Sequence, residues 1–471
     1  VTDRRPVWTA EAPARTGILV VGGGFSGRML ARRLAAGGAA HVTLVERDPD
    51  AGPGPAYGAC APHHLLNVAV DRMGAEAGDP AGFQSWLRER GIDAPSGSFV
   101  PRRLYGTYLD SLLADAQSRH DRALTLVRAQ VTALRREGSG WRAALGTREM
   151  HADAAALCLG FPPGKAPWSS DSALADRLVA NPWDDRWLAR LAPEDRVVVV
   201  GSGLTAVDVL MSLQLHGHRG SVTVISLSGR LPPPHDESAT PACRFLAPDR
   251  WPSTARGTVR MVREHVARAV REGSSWPRAM DALRAHTPTA WRALDRRARE
   301  QFMRHARMLW ELHRHRAPRK ALAAVDALAQ SGALRIRRAR IRSIACAAPG
   351  VPDRGMRLAC SDGTSIEADW LVNCTGPATR ISESPHPLLQ SLLRERIVVA
   401  DPLDLGLACT REGVPLSASG APVPGLAIAG ALRRGECWET TGVTELRDQV
   451  AEVAALMLGN GPGGSRTHTP V

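Results

Sequence analysis

Hydrophobic residues fall along this chain in two kinds of pattern. Short continuous apolar runs predict strands: Ile18–Val21, His41–Val45, Val197–Val200 and Ser221–Ile225. Three more runs end in glycine, at Ala154–Gly160 (AAALCLG), Asp369–Gly376 (DWLVNCTG) and Gly425–Gly430 (GLAIAG). Helical stretches alternate with them. Met29–Ala36 and Leu204–Leu215 are good helix formers, and Leu446, Val450, Val453, Ala454 and Met457 give Thr444–Leu458 one apolar face. Between about 255 and 330 glycine thins out, and Val259, Val262, Val266 and Ala269 recur at helical spacing, followed less strictly by Phe302, Met308 and Leu312. Beyond Gly459 the sequence is polar and is expected to be disordered.

Strand, glycine turn, helix and strand occur in that order twice. In the first unit Gly22, Gly24 and Gly27 make G-x-G-x-x-G, and Glu46 closes the second strand. Gly22 permits the tight turn, Gly24 admits a pyrophosphate to the backbone, and Gly27 lets the helix pack on the strand. The helix N-terminus offers free N–H groups and partial positive charge. Glu46 would accept hydrogen bonds from ribose hydroxyls and repel a 2′-phosphate, so this unit is expected to take FAD or NAD. In the second unit Gly201 and Gly203 are followed by Ala206, and the acid is missing. Ser226 or Ser228 stands near its place, and Arg230 follows. A small hydroxyl beside an Arg suits a 2′-phosphate, which points to NADPH. Arg230 as a solvated surface residue is the alternative.

With 471 residues the length prior is two to four domains. No apolar run reaches the length of a membrane span, and the first residues lack the apolar core of a signal peptide, so a cytoplasmic protein is expected. The net charge of +13 invites a nucleic-acid reading. The basic residues are nearly all Arg and are spread along the chain, however, and no nucleic-acid-binding motif accompanies them. The 8 cysteines include no C-x-x-C pair, which argues against a redox dithiol and a structural zinc site. No metal is expected.

Several blocks taken together resemble a known group. They are GPGPAYGACAPHHLLNVAVDRM (52–73), GDPAGFQSWLRERG (78–91), FVPRRLYGTYL (99–109), GRLPPPH (229–235), LWELHRHRAP (309–318) and GALRRGECWETTGVTELRDQ (430–449). The chain is similar to bacterial FAD/NAD(P)-binding proteins of the YdhS type, among the two-dinucleotide-domain flavoproteins. The resemblance implies an α/β fold with two Rossmann-like domains. The FAD domain would be discontinuous, 1–165 and 370–471. The NAD(P)H domain would be 166–369, with a helical insertion at about 255–330. It also implies FAD and NADPH as cofactors. A monooxygenase is implied, using molecular oxygen and a C4a-(hydro)peroxyflavin to hydroxylate a small metabolite, with nitrogenous compounds as one such class. The histidine-containing signature of N-hydroxylating and Baeyer–Villiger enzymes is not intact, since GFPPGKAPW (160–168) occupies its place. Where flavoproteins of this class carry an Asp after the last glycine strand, Ala431 stands. A flavin dehydrogenase or oxidase, and a non-catalytic nucleotide-binding regulator, remain as alternatives.

On this reading the flavin ring is expected near Tyr57, Leu66, Asn67 and Val68 on one side and Trp438, Glu439, Thr440 and Thr441 on the other. Ser26 and Thr205 in the glycine loops, Arg47 beside Glu46, Arg103, and the strand-end glycines Gly376 and Gly430 complete the expected cofactor set. His64, His235 and Glu439 are the candidate acid–base groups. Trp276, Trp291 and Trp310 in the insertion read as core or as a substrate box.

Overall fold

The computed structural model describes residues 5–161, 164, 172–236, 243–347, 355–378 and 380–459. Most of 160–168, and the tail beyond Gly459, lie outside them. The chain opens with β1 (Arg15–Val21), α1 (Phe25–Ala36) and β2 (Val42–Glu46), then α2 (Gly82–Glu89) and α3 (Arg102–Arg119). Next come β3 (Leu124–Arg128), β4 (Val131–Glu137), β5 (Gly140–Leu145) and β6 (Arg148–Leu157). A second unit follows: β7 (Leu178–Val179), β8 (Val197–Val200), α4 (Leu204–Leu215) and β9 (Val222–Ser226). It runs into the short helices α5 (Ala255–Arg271), α6 (Trp276–Ala282), α7 (Thr287–Ala293), α8 (Arg296–Gln301) and α9 (Arg307–Arg314). The chain then forms α10 (Arg319–Gln330), β10 (Leu334–Arg338), β11 (Ile341–Cys346), β12 (Met356–Cys360), β13 (Ser365–Ala368) and β14 (Trp370–Asn373). It ends with α11 (Pro387–Arg394), β15 (Leu426–Ile428), α12 (Arg434–Cys437) and α13 (Val443–Met457).

The first sheet has the order β3-β2-β1-β6-β5-β4. One edge of β6 is shared: its N-terminal half pairs antiparallel with β5, and Ala155–Leu157 pairs parallel with β15. The return of β15 after a long excursion makes this unit discontinuous. The second sheet, β10-β9-β8-β14-β7, is parallel throughout. Its central strands are buried along their length, which is why VVVV at 197–200 is continuous rather than alternating. The antiparallel ribbon β11-β12-β13 covers one face of that sheet through Met356 and Leu358, while α4 and α10 cover the other. The first sheet is packed by α1, α3 and α13 on one face and by α11 on the other.

The helical stretch expected to run to about 330 as one insertion divides in two. α10 packs against α4 and feeds β10, so it is the crossover helix of the second sheet. Helices α5–α9 leave the sheet, and several of them pack on the 434–445 segment of the first unit. Trp291 stacks on Trp438 with ring centroids 5.0 Å apart, and its indole N–H donates to the Gly435 carbonyl at 2.8 Å. Periodicity reports that a helix has an apolar face, but not what covers it, so both stretches read alike.

Candidate cofactor site

Each glycine loop ends a buried strand and begins a twelve-residue helix. Gly22 has φ +102°, and a Cβ there would overlap the Cys158 carbonyl. A Cβ at Gly27 would overlap the Gly22 carbonyl oxygen, so this residue sets the close approach of α1 to β1. Gly24 is different: a Cβ there would meet no atom of the described residues within 4 Å. Its side is open toward the ligand, as a pyrophosphate site needs. Gly24 caps α1 without a side-chain hydrogen bond, and the first turn carries no acidic residue. Its N–H groups are thus available to an anion. Glu46 Oε2 accepts from the Gly23 N–H at 2.6 Å and Oε1 from the Asp48 N–H at 3.0 Å, which fixes its carboxylate at the loop. Arg47 is exposed beside it. Ser26 is buried, with its hydroxyl close to Gly430.

The second loop repeats this geometry with other chemistry at its rim. Gly201 has φ +103°, Gly203 again faces open space, and α4 begins at Gly203 with no side-chain cap and no acid in its first turn. Thr205 lies in that turn, and Ala206 is fully buried. Ser226 ends β9 as Glu46 ends β2. Ser226, Ser228 and Ser202 form a hydroxyl ladder: Ser228 Oγ lies 3.1 Å from Ser202 Oγ and 3.3 Å from Ser226 Oγ. Arg230 is exposed, and its N–H donates to Ser228 Oγ at 3.1 Å. Arg338 ends β10 opposite Ser226 and borders Gly229. Ser202 and Arg338 were not singled out in the sequence. The middle position of G-x-G was the available signal for Ser202; Arg338 is more than a hundred residues away, and only the parallel β9–β10 pairing brings it here.

The segment before Val68 is clamped between the two units. The His64 Nδ1 accepts from the Ala61 N–H at 3.2 Å, which leaves Nε2 as the protonated nitrogen, 3.0 Å from Ser212 Oγ on α4. The ring is buried, and desolvation with the neighbouring His63 lowers its pKa to about 3, so it stays neutral. Arg102 reaches the same helix. Its Nη2 lies 2.9 Å from Asp208 Oδ2 in a nearly dry ion pair, and its Nε donates to the Leu65 carbonyl at 2.8 Å. Burial pushes Asp208 up to about 6 against the pull of Arg102. His235 Nε2 donates to the Asn67 carbonyl at 3.0 Å, and its ring lies 4.6 Å from that of Phe99. Burial, with Arg316 nearby, lowers it to about 4. Both histidines thus hold the 61–67 segment as neutral donors. Leu66 is buried, Asn67 and Val68 are half-buried, and Tyr57 packs edge-on against Tyr105 at 4.8 Å. Arg103 donates to the Cys60 carbonyl at 2.7 Å.

The opposite group lies after β15. Gly430 has φ +80°, and its N–H donates to Gln449 at 3.1 Å. Ala431 is buried, and the nearby acid Glu436 is held by Arg292 at 2.6 Å. Trp438 is buried with φ +61°, a left-handed backbone that is strained for a bulky residue. Glu439 accepts from Trp310 Nε1 at 2.9 Å and from Arg314 Nε at 3.0 Å. Arg284 and Arg314 also hold Glu445, so all three acids are paired with insertion arginines. The Thr440 hydroxyl is buried without a hydrogen-bond partner among the described residues, and Thr441 is exposed. Gly376 has φ +86° and faces open space. The structure therefore gathers the expected residues into two glycine loops, an inter-unit clamp and a C-terminal segment under the insertion. The open faces at Gly24 and Gly203, the fixed Glu46 carboxylate and the unpartnered Thr440 hydroxyl fit bound dinucleotides.

Comparison with known proteins bears on the fold. Residues 19–162 match the model of a family described as FAD-NAD(P)-binding, so the first unit is an FAD-NAD(P)-binding domain. No curated protein matches the chain by sequence. Among solved structures, the L-lysine 6-monooxygenase of Pseudomonas syringae superposes with a TM-score of 0.62 at 15% identity, covering 94% of this chain and 99% of that one. The ornithine N-hydroxylase of Kutzneria sp. 744 gives 0.59 at 17% identity, with 94% and 99% covered. The thioredoxin reductase of T. acidophilum gives 0.52 at 12% identity, with 95% and 99% covered. The fold is that of flavoproteins with two dinucleotide-binding units. No described helix is long and apolar enough to cross a membrane, and no metal-ligand cluster occurs among the described residues.

Proposed function

We propose that this chain is an FAD-dependent, NADPH-using oxidoreductase that hydroxylates a small molecule with molecular oxygen. FAD is assigned to the unit formed by 1–165 and 370–471, and NADPH to 166–369. The observation that carries the reading is the contrast between two open glycine loops in one chain, a carboxylate at the rim of one and hydroxyls with arginines at the rim of the other. The cysteines separate the two kinds of enzyme that share the fold. All eight are free, and burial raises the thiols of Cys158 and Cys437, so neither is poised as a thiolate to relay electrons through a dithiol.

Bound FAD would supply hydride acceptance and oxygen chemistry. The chain's own residues bind and orient. Glu46 receives ribose hydroxyls and excludes a 2′-phosphate from the first loop. Ser202, Ser226 and Ser228 offer hydroxyl donors, and Arg230 and Arg338 positive charge, to a 2′-phosphate at the second. His64, His235 and the Arg102–Asp208 pair hold the 61–67 segment against α4, so the clamp positions rather than transfers protons. Helices α5–α9 pack on the 434–445 segment through Trp291, Arg292 and Trp310. The test is to reduce the purified yellow protein anaerobically with NADPH, mix it with oxygenated buffer, and follow flavin absorbance and peroxide. A lag before oxidised flavin returns is expected. Immediate return with stoichiometric peroxide would favour a dehydrogenase or oxidase.

A further inference from the structure

An apolar pocket opens in the insertion. It is lined by Trp251, Trp291, Trp310, Trp438 and Phe302, with Met261 and Val262 of α5. Among the described residues it is partly open, and its lining is almost wholly apolar. Two features mark it as more than a packing defect. The Phe302–Ala306 turn between α8 and α9 is a π-helical bulge, a feature that concentrates at functional sites. Trp438, which forms part of the wall, carries the strained backbone described above, of a kind that persists only where its surroundings enforce it. Trp438 also begins the 438–441 segment assigned to the flavin ring, so pocket and cofactor segment are continuous.

The chemistry of the wall selects the ligand. Two of the aromatic faces that would attract a cation are already engaged: Arg299 lies 5.1 Å from the Trp291 ring and Arg434 lies 4.8 Å from that of Trp438. The nearby carboxylates Glu436, Glu439 and Glu445 are all bound to arginines. An ammonium group would find each of these carboxylates already paired, and would meet guanidinium charge. A neutral ring would find apolar indole edges and faces.

We propose that this pocket receives a neutral aromatic ring of the substrate, which sets the substrate class apart from the amine-bearing ornithine and lysine of the enzymes that share the fold. The inference rests on the flavoenzyme reading above. Calorimetric titration of the FAD-loaded protein with indole tests it, using cadaverine as the cationic competitor. Saturable binding of one indole per chain is expected, undisturbed by cadaverine and weakened at least ~10-fold by Ala290→Phe, which fills the pocket from α7. Thr258→Phe fills it from α5 and serves if the first variant does not fold by circular dichroism. Absence of saturable binding to FAD-loaded protein, displacement by cadaverine, or undiminished binding in a folded pocket-filling variant would overturn the proposal. Flavin content of the same sample keeps the two readings apart: a colourless preparation counts against the cofactor assignment, while the indole titration still judges the pocket.

Discussion

The two dinucleotide units are built alike and differ at the rim. In both, a buried strand turns at a glycine with φ near +100° and starts a twelve-residue helix at an uncapped glycine with open space above it. At the end of the second strand one unit has Glu46 and the other Ser226. The scaffold delivers phosphate binding through backbone N–H groups, which side-chain identity barely touches. On the proposed reading, discrimination between cofactors sits in a single rim position and the groups around it.

The largest expected contrast lies within the first loop. Gly27→Ala drives a methyl into the Gly22 carbonyl and is expected to unfold the unit, whereas Gly24→Val leaves the fold intact and loses FAD. Circular dichroism and flavin absorbance on both variants check this; stoichiometric FAD in Gly24→Val would break the assignment. Next is the clamp. Asp208→Ala strands the Arg102 charge in a dry site and is expected to cost about 3–5 kcal/mol in urea unfolding, less when Arg102→Met accompanies it.

The clamp also predicts a pH dependence. His64 has a folded-state pKa near 3, below its unfolded value of 6.5, so the unfolded chain takes the proton first as pH falls. The stability it contributes is present above about pH 6.5 and is lost toward its folded pKa, on the order of 3 kcal/mol by pH 4. His64→Gln should flatten the pH–stability curve between pH 6.5 and 4 relative to wild type; parallel curves would contradict the neutral-donor role. Smaller effects are expected at the second rim. Ser226→Glu should lower kcat/KM for NADPH at least ~10-fold while sparing NADH, a difference of about 1.4 kcal/mol or more. Arg230→Ala should weaken NADPH by up to about tenfold with little effect on NADH; equal losses would make it a surface residue.

The parts of this architecture written in local sequence were legible. Both strand–glycine–helix–strand units lie within short windows, and the second helix spans the same residues in sequence and structure, Leu204–Leu215. What was not legible depends on contacts made far along the chain. Arg102 and Asp208 lie more than a hundred residues apart, so their pairing carries no local signature. His64 and His235 stood out as titratable residues in suggestive blocks, but their burial and hydrogen bonds, which keep them neutral, come from α4 and from Asn67. The tryptophans of the insertion could be read as core or substrate box because periodicity does not say which faces remain open. In the structure Trp291 is buried, stacks on Trp438 and lines the pocket.

The central claim is that one unit holds FAD and the other presents NADPH to it. Anaerobic titration of the purified protein with NADPH and, separately, NADH tests it most directly, following flavin absorbance against protein concentration. The account predicts one FAD per chain, bleached by NADPH at least ~10-fold more efficiently than by NADH, in keeping with one discriminating rim. A preparation without flavin, or flavin that neither nucleotide reduces, or equal reduction by both, would contradict it.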